Sequence, residues 1–229
     1  MESILKNFIN LSLYDASAEM LKYLRIRFTP QSNAPIPFQE LYFGATSQNP
    51  PKQLAEILAK VKDTYFIGSI DEESLEGKSS EVELSILDED YLAMMVFAVD
   101  IKDEETLTRS EIATLTRGFN RMDNSVPVIL FVKSGDRLSL ATCERSKYKH
   151  EWRSGEKLGR VSILRDINLN DPHRGHQDIL KSLRGEKSFS SFDELYRHWL
   201  EVFSSELLTK KFYTENKKKD IIYICNEDL

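Results

Sequence analysis

At 229 residues the chain is long enough for one sizeable domain, or for one domain with a helical appendage. A composition of 41% hydrophobic and 30% charged residues excludes disordered and fibrous classes, and no stretch approaches the ~20 apolar residues that span a bilayer. The net charge of −6 argues against a surface that coats nucleic acid indiscriminately. Cys143 and Cys225 lie far apart in no metal-ligand spacing, and the first residues lack a signal-peptide pattern, so the expectation is a reduced, cytoplasmic protein.

The first elements are helical. Leu13, Ala16, Met20, Leu21 and Leu24 recur at helix spacing, with Asp15 and Ser17 as candidate caps. "TPQSNAPIPF" then brings Pro30, Pro35 and Pro37 close together and reads as a linker or extended arm. A helix is expected from about Pro51 to Lys62, with Leu54, Ile57, Leu58 and Val61 on one face. "TYFIGSI" is a short buried strand rich in aromatic and β-branched residues.

After a polar loop, the continuous apolar run in "DYLAMMVFAVDI" predicts a central strand covered on both faces. Thr108-Arg109-Ser110-Glu111 has the form of a capping box, opening a helix that buries Ile112, Leu115, Phe119 and Met122. "VPVILFVK", "SGD" and "RLSLATCE" predict a β-hairpin. "VSILRDI" is a further strand candidate, Asp171-Pro172 a helix start, and Ser191 with Glu194 a second capping box. That box opens an amphipathic helix with Phe192, Leu195, Tyr196, Trp199, Val202 and Phe203 inward, as core or as a docking face. The expected class is α/β: a mixed sheet of about four to five strands with flanking helices and a helical C-terminal tail, an arrangement that admits a restriction-endonuclease-like fold. The divisions are a helical and extended lead (1–48), an α/β core (49–166) and a helical tail (167–229).

Four motifs bear on chemistry. Asn49-Pro50-Pro51 is the core triplet of enzymes that methylate an adenine amino group, where a following aromatic stacks on the flipped base. Here polar residues precede it, Lys52 follows, and no glycine-rich turn for a nucleotide cofactor exists, so the triplet reads as a helix start. Asp100-x-Lys102 at the end of the central strand places a carboxylate and a lysine on one side. Nucleases of the PD-(D/E)xK type use such a pair, with a second carboxylate from a neighbouring strand, to hold Mg²⁺ and orient water; Asp71 is the expected second carboxylate. His173 and His176, near Asp171 and Asp178, have helix spacing for a metal pair but no third ligand, and are read as solvated. Finally, Arg145 to Arg165 carries a local +5. In it Arg145, Lys147, Lys149, Arg153 and Lys157 are interleaved with Trp152, which suits phosphate contact and base stacking.

"TYFIGSID", "FAVDIKDEETLTRSEIATLTRGFNR", "VPVILFVKSGDRLSLA", "YKHEWRSGEKLGRVSILRDINLNDPHRGHQDIL" and "SFDELYRHWLEVFSSELLTKKFYTE" together resemble a known neighbourhood. The chain is similar over roughly residues 50 to 215 to the N-terminal region of large type IIG-like adenine-specific DNA methyltransferases of restriction–modification systems. The resemblance implies an isolated or truncated N-terminal module without methylase domain or cofactor loop. Such a module positions DNA and docks a methylase domain or subunit through its C-terminal helices, with no membrane partner. The alternatives are a Mg²⁺-dependent endonuclease using Asp71, Asp100 and Lys102, and a structural scaffold; Mg²⁺ is a cofactor only of the endonuclease.

Overall fold

The computed structural model describes residues 1–71, 93–122, 126–147, 156–184, 189 and 192–203. Its elements follow chain order: α1 (Glu2–Asn10), α2 (Leu13–Tyr23), β1 (Thr29–Pro30), α3 (Phe38–Thr46), α4 (Lys52–Leu58), β2 (Val61–Asp71), β3 (Ala93–Ile101), α5 (Arg109–Asn120), β4 (Val128–Ser134), β5 (Arg137–Lys147), β6 (Glu156–Asn168), α6 (Arg174–Ser182) and α7 (Phe192–Val202). The chain is a mixed α/β protein with flanking helices. Its strands form one six-stranded sheet in the order β1-β2-β3-β4-β5-β6.

β3 and β4 are parallel and joined by α5; every other neighbouring pair is antiparallel. The strand beyond the expected four to five is β1, two residues of the proline-rich arm at the sheet edge. An edge tolerates Pro30 because no neighbour needs the missing N–H. β1 lies so close over β2 that a Cβ added at Gly68, whose φ is 157°, would strike the Thr29 carbonyl oxygen. Only glycine fits there.

The central strand is buried on both faces, as its unbroken apolar run predicts. Val96 and Ala98 join one apolar cluster with Leu5, Phe8, Met20, Leu21, Ile179 and Trp199, which places α1, α2, α6 and α7 on that face. Phe97, Val99 and Ile101 join a second cluster with Tyr42, Leu54, Leu115 and Phe119, from α3, α4 and α5. A Cβ at Gly118 would come within 2.8 Å of a Leu54 methyl, so glycine lets α4 settle on α5. The first cluster draws residues from the lead, the core and the tail together.

Several local expectations shift. The N-terminal region is two helices, and Ser12 caps the second by accepting from the Asp15 N–H. Val61 opens β2 rather than closing the preceding helix. α6 is capped by His173, whose Nδ1 accepts from the Gly175 N–H, not by Asp171. The capping box at Thr108 and Glu111 is present in full, whereas the Ser191 box lies outside the described residues. The inward face of α7 is already used: Leu195, Tyr196, Trp199, Val202 and Phe203 are buried in the chain's own core. That face is therefore not a docking surface for a following domain.

Candidate carboxylate and lysine site

The antiparallel register of β2 and β3 decides where the carboxylates fall. Asp71 pairs with Ala93, at the far end of the ladder from Asp100. Asp100 lies seven residue steps along the strand from Ala93, about 23 Å at ~3.3 Å per residue. The expected grouping of Asp71 with Asp100 and Lys102 is therefore overturned, because no single ion bridges that distance.

The residue directly opposite Asp100 is Asp63. Directly opposed residues of an antiparallel pair share a face, with Cβ atoms about 4.5–5.5 Å apart. The ladder slips between Val61 and Asp63, so Lys62 is the extra residue of a β-bulge. A bulge re-aims its side chain, and the Lys62 Nζ lies 3.9 Å from Asp100 Oδ2. From the other side β4 sets Lys133 beside Asp100 in parallel register, with its Nζ 3.6 Å from Oδ1. Both separations exceed hydrogen-bond length, so the ammonium groups are electrostatic neighbours of the carboxylate. Tyr65, two residues beyond Asp63, has its phenol pushed up first by partial burial and then by the charges of Asp63 and Asp100.

Lys102 has a different task. Its Nζ donates to the Ala59 carbonyl oxygen at 2.6 Å, and its backbone N–H donates to Lys60 O at 3.0 Å. Ala59 is the C-cap of α4, where a cation meets the negative end of the helix dipole. The lysine two residues beyond Asp100 therefore caps a helix instead of facing the carboxylate pair. Beside Asp63, residues including Ile36, Pro37, Leu58 and Lys62 line a cleft of about 300 Å³.

Among the described residues no group of three or more His, Cys, Asp or Glu side chains is placed to hold a metal ion. The site offers two carboxylates, which is a number that suits Mg²⁺, since that ion keeps several waters and takes further oxygens from substrate phosphates. His173 and His176 sit with ring centroids 6.2 Å apart, edge to face. Burial pushes the His176 imidazole down, with repulsion from His173 adding to it and Asp166 opposing. Asn49-Pro50-Pro51 leads into α4 with Pro51 as N-cap, as a helix start.

The basic belt is reached by the β5–β6 ribbon. The last β4 partner of β5 is Thr142, opposite Ile129. Beyond it Arg145 pairs with Leu158, Ser146 with Lys157 and Lys147 with Glu156, so among the described residues the ribbon runs on past the sheet as two strands. Arg145, Lys147 and Lys157 are thereby placed on this arm by backbone register; Lys149, Trp152 and Arg153 lie outside the described residues. β5 runs eight residues from Leu138, which pairs with Lys133, to Ser146, so arm and carboxylate pair stand about 26 Å apart along the sheet.

Asp63 is the functional candidate that sequence reading missed. Its signal is an acidic residue at the start of a strand, "KDTYF", antiparallel to the strand that ends in Asp100. Among the described residues no helix is long and apolar enough to cross a membrane. No family model, curated protein or solved structure matches the chain.

Proposed function

We propose that the chain is a DNA-positioning module of a restriction–modification system, acting in the cytoplasm beside a methylase domain or subunit. The observation that carries this reading is the two-stranded arm. It takes Arg145, Lys147 and Lys157 beyond the sheet on a ribbon, and a two-stranded ribbon is one of the shapes the DNA major groove admits. The resemblance of residues 50 to 215 to the N-terminal region of type IIG-like methyltransferases supports the same context. Lysine and arginine on the arm would meet phosphates and hold register without reading bases. The test is fluorescence anisotropy of a labelled ~20-base-pair duplex. Binding that weakens with salt at a log–log slope of about −3 to −5 supports four or five phosphate contacts. No binding at low salt would leave a structural scaffold in its place.

A second reading is favoured by one further observation, the direct opposition of Asp63 and Asp100. This reading is Mg²⁺-dependent hydrolysis of a phosphodiester. The donors are the carboxylate oxygens of Asp63 and Asp100, the donor type that Mg²⁺ takes, with an ammonium beside each Asp100 oxygen. Asp63 and Asp100 would hold it, and when bound it supplies Lewis-acid polarisation of a phosphoryl oxygen. A water oxygen adds to phosphorus and the P–O3′ bond breaks. O3′ leaves with the electron pair and gains a proton, while the water's other proton passes to solvent. The arm, about 26 Å away along the sheet, would hold the same duplex at a second point.

A further inference from the structure

The segment between α2 and β1 gathers cations at one edge of the sheet. Lys22, Arg25, Ile26, Arg27 and Phe28 line an open cleft of about 650 Å³. Both arginines are exposed, whereas Ile26 is buried and Phe28 packs against the main apolar cluster. The cleft therefore has a fixed apolar floor under a charged rim. Arg25 follows α2 in the left-handed region, at φ 59°. The Ile26 N–H donates to Leu21 O and the Arg25 N–H to Lys22 O, each at 2.9 Å, which is the Schellman arrangement of a helix end. Glycine is the usual residue at its left-handed position, because a side chain there meets strain. An arginine kept at that place, with no carboxylate partner among the described residues, points to a use for the side chain itself. Lys22 is held by Glu19 at 2.8 Å in an exposed pair, of the weak kind that a phosphate displaces.

We infer that this cleft is a second phosphate-binding point for the DNA duplex that the β5–β6 arm engages, an inference that rests on the DNA-positioning reading. Strand register puts the two points at one end of the sheet. Thr29 lies opposite Ser69, Ser69 opposite Met95 and Met95 opposite Val128, while Ile129, the next residue, lies opposite Thr142. Arg27 precedes Thr29 by two residues and Arg145 follows Thr142 by three. Because β1 and β5 run in opposite directions, both lead off the same end. Four strand spacings separate β1 from β5, about 19 Å at ~4.8 Å each. That is little more than half of a ~34 Å turn of B-DNA, so one duplex laid across this end reaches both. β2 and β3 lie between them, and residues 72–92, which join these strands, carry eight Asp and Glu against Lys78. Their charge repels phosphate, which confines contact to the basic points on either side. A guanidinium suits the cleft because its planar fork of donors matches a phosphate.

The experiment titrates the labelled ~20-base-pair duplex across a salt series with wild type, R25G, R25K and the arm variant K147A/K157A, beside a thermal melt of each protein. R25G should bind about fivefold or more weakly at low salt and bring the log–log slope ~0.9 nearer to zero, the share of one phosphate. It should also melt no lower than wild type, because glycine takes the left-handed position without strain, so that its weaker binding is not a folding defect. R25K keeps the charge and should keep the wild-type slope; a slope as shallow as that of R25G would overturn the phosphate contact. R25G with wild-type affinity and slope, while K147A/K157A binds less tightly, removes the cleft and leaves the arm reading standing. Loss in R25G with the arm variant unchanged keeps the cleft as a phosphate site and overturns the arm. Wild-type protein that does not bind the duplex at low salt overturns both.

Discussion

Asp63 on β2 stands directly across the ladder from Asp100 on β3, two carboxylates in one cross-strand pair. Like charges so placed destabilise a sheet. Asp63→Asn should therefore stabilise the metal-free protein by roughly 0.2–1 kcal/mol, read by urea denaturation. Mg²⁺ should raise the melting temperature of wild type and leave that of the variant unchanged. A variant less stable than wild type without metal would show the Asp63 carboxylate to be favourably paired.

Glu111 ties α5 to the start of β2. Its carboxylate accepts from the Thr108 N–H and hydroxyl, each at 2.7 Å, and from Lys60 Nζ at 2.9 Å. The Thr108 backbone bond is the largest of the effects that hold its pKa down at about 2, against an ordinary 4.5, with the Lys60 bond next. A folded value below the unfolded one gives stability that is fully present above pH 4.5 and lost as pH falls towards 2. Glu111→Ala should cost about 1 kcal/mol at pH 7. The gap between variant and wild type should narrow steadily at pH 4 and pH 3, by urea denaturation; a gap independent of pH would separate the loss from the charge.

His176 works in the opposite chemical sense. Burial, then the neighbouring His173, hold its pKa below 6.5. The unfolded chain therefore binds a proton that the folded chain refuses, and stability falls as pH drops below 6.5. NMR titration should give His176 a midpoint below that of an exposed histidine. His176→Gln should flatten the stability profile just below pH 6.5, and an unchanged profile would assign the slope elsewhere.

Trp199 is fully buried and its Nε1 donates to Leu183 O at 2.9 Å, joining α7 to the end of α6. One turn earlier the Tyr196 hydroxyl donates to Cys143 O on β5 at 2.8 Å. The tail is thus part of the main core. Trp199→Ala should cost ~3–5 kcal/mol. Trp199→Phe keeps one aromatic ring but loses the hydrogen bond and some volume, and should cost about 1–3 kcal/mol. A single cooperative transition for all three proteins is expected in chemical denaturation. A separate early transition of residues 192–203 would make the tail an independent unit.

The elements themselves were legible in the chain because their causes are local. The apolar run of β3 declares a strand covered on both faces, and Thr108 with Glu111 declares a helix start. The helix start rests on side chains acting on backbone a few residues away, and the strand on a run that leaves neither face polar enough for water. The apolar face of α7 was legible too, but not what covers it. That depended on α1, α2 and the sheet meeting in one cluster drawn from both ends of the chain.

The candidate site was half legible. Asp100 at a strand end follows from the sequence alone, because a strand leaving its apolar run meets polar residues. Its partner is set by the register of a hairpin whose strands are joined by 21 residues, a length that turn chemistry cannot specify. Only packing could choose the register, through Phe66 against Phe97 and Ile70 beside Met94. That choice brings Asp63 to Asp100 and leaves Asp71 at the other end. The roles of the lysines were decided in the same way. The position of Lys102 two residues beyond Asp100 is a property of the sequence, whereas its bond to Ala59 and the arrival of Lys133 from β4 are products of how α4 and the strands assemble.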